Sequence, residues 1–418
     1  MWSKKRHKFI IGLLRPIMKL YFYLKYNLSL SYKNNPIQPE GSFVVVSNHV
    51  TALDPFIMGS MFKRHIYYMA SIDIFEHFFV GKLIRFLVNP IPKEKNKKND
   101  IKSIKTCLKI VNEGHPIGIF VEGNRTLDGK LCYINPSITK LVKALKKPLL
   151  IMNIIGGYGT DPRWGKSIRK GKMDCKIVKV LYYDEYKDLN DDELLKIMVN
   201  NLNVNNYDFT TCFKSKRKAE YLERVTYICP VCGKKNTLYS KKDFLICDNC
   251  GLKVKYNENL ALTSDNNFFK FKTVADWYNY QIEFIKNEAF NSDVIYQDDI
   301  LVSIPRLFKG RKKLGRGKLM AYKDRFEVVF KNKKMIFEFE LIDEMTLLGK
   351  KKMNIYYGKQ TYQFFKDKRL NLLKYMHLFY ILRNKGKVNN YEFLGLWYMV
   401  RIDSNCYCIM FNFVRKYY

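Results

Sequence analysis

The sequence predicts an α/β domain on a mainly parallel sheet, then a four-cysteine ribbon, then a small α+β, mostly β, module at the C-terminal end. Three patterns carry this reading. Residues 42 to about 185 alternate strand-like and helix-like stretches, as a sheet with crossover helices requires. Two Cys-x-x-Cys pairs follow, at Cys229/Cys232 and Cys247/Cys250. From roughly 298 to 364, short alternating strands lead into one last helical stretch.

Taken in order, the first segment is "MWSKKRHKFIIGLLRPIMKLYFYLKY". Its basic start lacks the small-residue cleavage site of a signal peptide. Arg15, Lys19 and Lys25 interrupt the apolar run too often for a spanning helix. On a helical projection Lys8, Arg15 and Lys19 share a narrow sector, while Phe9, Ile10, Leu13, Leu14, Ile17, Leu20 and Tyr21 cover much of the rest. Pro16 suits the first turn of a second helix. Residues 1–40 are therefore expected to form two short amphipathic helices lying in a membrane interface.

Residues 41–215 form the expected α/β domain. Its strands are "SFVVVS", "HIYYMAS", "PIGIFVEG", "PLLIMNIIGG" and "CKIVKVLYY", with helices such as "KSIKTCLKIVNEG" and "SITKLVKALKK" between them. Active sites of such sheets gather in the loops at strand ends, and His49 and Glu122 both lie just past a strand. Residues 186 to 226 read as a polar helical connector. The ribbon takes 216–260, and 261–418 holds the helix "TVADWYNYQIEFIKNEAF" and the β-rich module. An apolar tail, "LWYMVRIDSNCYCIMFNFVRKYY", carries no pattern of its own.

The 418 residues carry 74 basic against 39 acidic side chains, a formal charge of +35. An excess of that size asks for an anionic partner: nucleic acid, an acidic membrane or a phosphorylated substrate. About half of it is assigned to the Lys-, Asn-, Ile- and Tyr-rich composition that AT-rich coding produces. The ten cysteines show no secreted-scaffold spacing, which points to a reducing compartment.

"NHVTALDPF" places His49 and Asp54 in a strand-to-helix turn, close enough in sequence to hydrogen-bond. A carboxylate on one imidazole nitrogen fixes the tautomer and stabilises the imidazolium, while the other nitrogen accepts a proton from an alcohol. No serine nucleophile is needed. "IFVEGNRT" then runs from an apolar strand into Glu122, Gly123, Asn124 and Arg125. Gly123 permits a tight turn, and Arg125 offers a planar fork of donors that suits a phosphate monoester.

With both stretches in hand, the chain resembles the glycerolipid acyltransferase superfamily, in particular 1-acylglycerol-3-phosphate acyltransferases. "NHVTALD" matches that family's N-H-x4-D block, and "VEGNRT" matches its E-G-T-R block with Asn124 in place of Thr. "IPKEK" at 91–95 stands where an Ile-Pro-x-Asp-Arg run is usual, and "KKPLLIMNII" where a fourth, apolar block falls. The resemblance spans about residues 5 to 185. It implies that His49, oriented by Asp54, deprotonates an acceptor hydroxyl that attacks the thioester of acyl-CoA or acyl carrier protein. Arg125 and Lys95 then hold the acceptor phosphate, and Glu122, Gly123 and Asn124 shape that pocket. It also implies a lysophospholipid substrate and work at an anionic membrane surface, on the cytoplasmic face of the cell membrane, as a peripheral or monotopic protein.

"CPVCGKKNTLYSKKDFLICDNCG" spaces Cys229, Cys232, Cys247 and Cys250 as a zinc ribbon does, with a glycine after each pair. One closed, structural zinc ion is the expected cofactor. The strands and final helix beyond it suggest a pleckstrin-homology-like or related membrane-associated barrel. The competing readings are a basic nucleic-acid-binding protein and a catalytically idle lipid-binding protein. Cations spread along the whole chain, not interleaved with aromatics on one ribbon strand, speak against nucleic acid as a partner.

Overall fold

The structure, a computed structural model, describes residues 6, 9–32, 39–71, 75, 78–93, 101–207, 210, 212–287, 293–306, 309–365 and 369–384. Glu94, Lys95 and the apolar tail beyond Asn384 lie outside the described residues.

The first unit is a seven-stranded sheet. Its strands are β1 (Leu28–Tyr32), β2 (Val44–Ser47), β3 (Tyr67–Ser71), β4 (Ile91–Lys93), β5 (Ile117–Phe120), β6 (Leu149–Ile155) and β7 (Met173–Leu181), in the order β1-β7-β6-β2-β5-β3-β4. All neighbours are parallel except β6 and β7. The mainly parallel sheet follows from strands that are apolar on both faces. Val44, Val45 and Val46 are fully buried, as are Leu149, Leu150, Ile151 and Met152. β1 and β4, which the alternation does not reveal, extend the two edges.

Helices Ile101–Asn112, Ser137–Leu145 and Asp191–Leu202 cover one face, around Val44, Val46, Ile117 and Ile151. The last of these belongs to the domain and is not a free connector. Leu194, Leu195, Met198 and Leu202 are buried, and Asn190 and Glu193 cap its start reciprocally. On the opposite face Val45, Leu150 and Met152 join a core that takes in Phe22 and Tyr26 of the N-terminal helix and runs on into the rest of the chain.

That N-terminal helix differs from the expected pair. Ile10–Leu14 form a wide, π-type turn that passes directly into the α-helix Arg15–Tyr26, with no break between them. Pro16 sits in the first α-helical turn, where a missing N–H costs little.

The ribbon is an antiparallel sheet of β8 (Leu238–Lys241), β9 (Phe244–Cys247), β10 (Lys253–Tyr256) and β11 (Leu262–Thr263). Helix Val274–Asn287 locks it in place. Gln281 accepts from the Ile228 N–H and donates to the Val225 carbonyl, and the Trp277 indole donates to Ile228 O.

The last unit is an antiparallel seven-stranded meander: β12 (Tyr296–Arg306), β13 (Gly310–Ala321), β14 (Arg325–Val329), β15 (Lys334–Glu338), β16 (Ile342–Leu348), β17 (Lys352–Tyr357) and β18 (Gln360–Phe365). β12 pairs with β18, which brings the first strand against the last. Helix Leu373–Arg383 packs Leu373, Tyr375, Leu378 and Phe379 into the same core. The three units share one continuous apolar core through the ribbon.

Candidate active site and metal centre

β2 and β5 are adjacent and parallel, so the loops leaving them meet at one edge of the sheet. Past Ser47 the Asn48 side chain takes over the role of the strand. It donates to Ile154 O at 2.9 Å and accepts from Ile154 N–H at 2.8 Å on β6. This fixes the direction of the next residue, His49.

His49 Nδ1 lies 2.7 Å from Asp54 Oδ2. Asp54 is fully buried at the start of helix Asp54–Met61. Its carboxylate also accepts from Val50 N–H at 2.6 Å, Thr51 N–H at 2.9 Å and the Thr51 hydroxyl at 2.6 Å. With all those donors fixed around Asp54, Nδ1–H is the donor to it. The imidazole stacks on Phe120, centroids 4.5 Å apart, and its side chain is 20% exposed. A small cleft beside it is lined by Asn48, Glu122, Thr126, Lys130 and Leu131. The arrangement supplies an oriented, partly exposed imidazole with one nitrogen braced by a carboxylate, which is what a general base needs.

Glu122 is buried, and both its oxygens are taken by backbone. Oε1 accepts from His49 N–H at 2.6 Å and Oε2 from Cys132 N–H at 2.7 Å. Burial pushes its carboxyl up to about 8, against the downward pull of those N–H groups. Thr126 N–H adds a bond to His49 O at 3.0 Å. Glu122 thus braces the histidine loop and does not face Arg125. Gly123 turns the chain at φ +63 with open space where a Cβ would stand. Asn124 Oδ1 accepts from Arg125 N–H at 3.1 Å. The half-buried Arg125 guanidinium makes no hydrogen bond or ion pair among the described residues. Desolvation lowers its pKa, while the charges of Asp161 and Asp54 pull it back up.

The four ribbon cysteines converge as their spacing predicts. Their sulfurs all lie within 4.8 Å of one another, with Cys229 and Cys250 Sγ 3.6 Å apart and Cys232 and Cys247 Sγ 3.8 Å apart. Four thiolates around zinc at about 2.3 Å stand roughly 3.8 Å apart, so the donor set fits a tetrahedral zinc ion. Gly233 and Gly251 take positive φ, and their N–H groups reach back to Cys229 O and Cys247 O. That is the turn each pair needs around a metal.

Comparison with known proteins finds similarity in two segments of the chain. Residues 30–154 match the Acyltransferase family. The chain carries an acyltransferase domain. Residues 222–259 match a zinc-ribbon family described as the 7 kDa subunit of DNA-directed RNA polymerase. A 1-acyl-sn-glycerol-3-phosphate acyltransferase of Bacillus subtilis (strain 168) is 26% identical over 174 residues, which is 41% of this chain and 83% of that protein. A probable 1-acyl-sn-glycerol-3-phosphate acyltransferase of Mycoplasma genitalium is 24% identical over 148 residues, 34% of this chain and 54% of that protein. Among solved structures, the 1-acyl-sn-glycerophosphate acyltransferase PlsC of Thermotoga maritima aligns at 19% identity and a TM-score of 0.40. That alignment covers 48% of this chain and 81% of the other.

Within the acyltransferase domain, three residues beyond those singled out from the sequence shape the site. Asn48 anchors the histidine loop to β6, and Thr51 holds Asp54 through both its N–H and its hydroxyl. The Thr-x-x-Asp spacing is visible in the sequence, but Thr51 does not cap the helix: its hydroxyl donates to Asp54, and the N-cap Leu53 makes no side-chain cap bond. Arg163, 2% exposed, donates to Arg125 O at 2.9 Å and had no signal at all.

Proposed function

We propose that this acyltransferase moves a fatty acyl group from acyl-CoA or acyl carrier protein to the hydroxyl of 1-acylglycerol-3-phosphate or a related lysolipid, giving phosphatidate at a membrane surface. The observation that carries the reading is the 2.7 Å bond from His49 Nδ1 to a buried carboxylate that three further donors hold in place. His49 Nε2 takes the proton of the acceptor hydroxyl as its oxygen attacks the thioester carbonyl. The new C–O bond forms, the C–S bond breaks, and the proton passes from His49 to the departing thiolate. No acyl-enzyme forms. Arg125 binds the acceptor phosphate, with Lys95 as a second cation.

Membrane association has its own support. Leu13, Ile17, Leu20, Tyr23 and Leu24 of the N-terminal helix are more than half exposed, and so are Phe79 and Leu83 of helix Phe78–Leu87. The Arg6 guanidinium lies 4.3 Å over the Phe86 ring and donates to Arg85 O. An apolar surface of this kind, flanked by Arg15, Lys19 and Lys25, suits an anionic bilayer. Each cation near such a leaflet contributes roughly 1 kcal/mol. Among the described residues no helix is long and apolar enough to cross a membrane. The division into 1–40, 41–215, 216–260 and 261–418 goes with this reading. In it zinc is structural, and the closing meander with its helix is a pleckstrin-homology-like unit.

The test is acyl transfer by purified protein on anionic vesicles, with long-chain acyl-CoA or acyl carrier protein as donor and lysophosphatidate or other lysolipids as acceptor. Transfer to lysophosphatidate is expected. A folded, zinc-loaded protein that transfers to no lysolipid would sink the proposal and bring a nucleic-acid titration forward.

A further inference from the structure

The turn between β16 and β17 leaves the last unit and seats itself on the acyltransferase domain, beside the loop that carries Arg125. Three ties hold it there. Arg163 donates from Nε to Gly349 O at 3.0 Å, from one terminal nitrogen to Leu347 O, and from the other to Arg125 O at 2.9 Å. Asn124 Nδ2 approaches Leu347 O at 3.5 Å. Lys350 Nζ donates to Gly165 O at 2.6 Å and lies 3.4 Å from Asp161.

Arg163 is the unusual member. It is buried, and among the described residues its guanidinium meets no carboxylate. A buried cation without a counter-charge is costly, yet this one donates from all three of its nitrogens to three carbonyls from two separate units. Burial and the nearby Arg125 lower its pKa to about 9, which leaves it charged at neutral pH. The Arg125 carbonyl is therefore pinned, while among the described residues its own guanidinium makes no hydrogen bond or ion pair.

We propose that the last unit is a working part of the acceptor site: its β16–β17 turn, clamped through Arg163, holds the 123–126 loop so that Arg125 is presented to the anionic headgroup of the acceptor. Arg163 is a positioning residue and touches no substrate. The proposal rests on the reading of Arg125 as the acceptor's phosphate ligand. It assigns to residues far along the chain a role in acceptor recognition, separate from the base at His49.

The test uses the full chain with Arg163→Lys, which keeps the charge and loses the fork, and Lys350→Ala, which removes the third tie from a half-buried position. The loss of charge-assisted bonds to the loop should raise the acceptor KM about tenfold in Arg163→Lys. In Lys350→Ala the rise should be about threefold. In both, kcat and the acyl-donor KM should stay within about twofold, as expected when only binding is lost. Hydrogen exchange of residues 122–130 is the second readout and needs no activity. Both variants should exchange faster there, with β2 and β6 unchanged. Parental exchange in that segment, or an unchanged acceptor KM in a folded variant, overturns the proposal. So does a joint loss of kcat and donor affinity, since that marks a merely structural role. Absence of transfer by the parent protein itself points instead at the function proposed above, while the exchange result still decides the coupling.

Discussion

His49 and His377 mark two regions that use the same side chain in opposite ways. At His49 one ring nitrogen is bonded to a buried carboxylate, and the side chain as a whole is 20% exposed beside a cleft. His377 is fully buried, with Nδ1 2.8 Å from the Tyr227 hydroxyl and Nε2 2.9 Å from the Tyr278 hydroxyl. Burial drives its pKa down to about 3, so the ring stays neutral. Tyr227 lies on the ribbon, Tyr278 on helix Val274–Asn287 and His377 on the last helix, so this imidazole joins three segments. A partly exposed ring and a charge partner make a base, whereas two filled nitrogens and no charge make a structural pin.

Exchanging the two residues' fates gives the largest contrast. His49→Ala should cut acyl transfer by about 10²–10⁴-fold while leaving the unfolding temperature unchanged. His377→Phe should leave turnover of the folded fraction within about twofold. It should lower unfolding free energy by roughly 2–5 kcal/mol, because two buried tyrosine hydroxyls lose their partner. Initial rates and denaturant unfolding measured on both variants check the pair. Equal loss of activity from both would erase the distinction.

Removing the metal comes next. A strong zinc chelator should release one zinc per chain and lower the first unfolding transition by about 10 °C or more. Calorimetry with and without chelator reads this. The ribbon half should melt before the His49 half, and a single unshifted transition would contradict a structural zinc.

The pH dependence sharpens the contrast further. The unfolded His377 ring binds a proton below about 6.5, whereas the folded ring resists until about 3. The unfolded state therefore holds the extra proton in that window. Stability falls as pH drops from about 6.5 toward 3, by up to roughly 1.4 kcal/mol per pH unit. The contribution is fully present above 6.5. In His377→Phe that part of the slope should vanish, and the parent-minus-variant difference separates it from acid release of zinc.

The smallest effect is expected from Thr51→Val. It removes one hydroxyl donor to Asp54 while keeping the size of the side chain, and it should slow turnover about five- to tenfold, the worth of one hydrogen bond to a charged group. An unchanged rate would mean that the remaining donors suffice to hold the dyad.

Much of this was legible in the chain because the patterns are local. Val44–Val46 and Leu149–Met152 read as two-sided strands since burial on both faces demands an unbroken apolar run. His49 and Asp54 meet within a single turn, and the four cysteines close over paired glycine turns, so spacing alone foretells both sites. The wide turn at Ile10–Leu14 escaped the reading because its apolar spacing also suits an ordinary helix.

By itself, then, the sequence determined what short-range geometry can encode: the strand-to-helix turn with its dyad, the ribbon cysteines, the mainly parallel core and the short closing strands. Tertiary structure alone decided that Glu122 braces His49, that His377 is a pin, and that Arg163 ties Arg125 to Leu347 and Gly349. Those contacts join segments separated by tens to hundreds of residues. Their energy comes from burying polar groups against partners that only the folded core brings within reach.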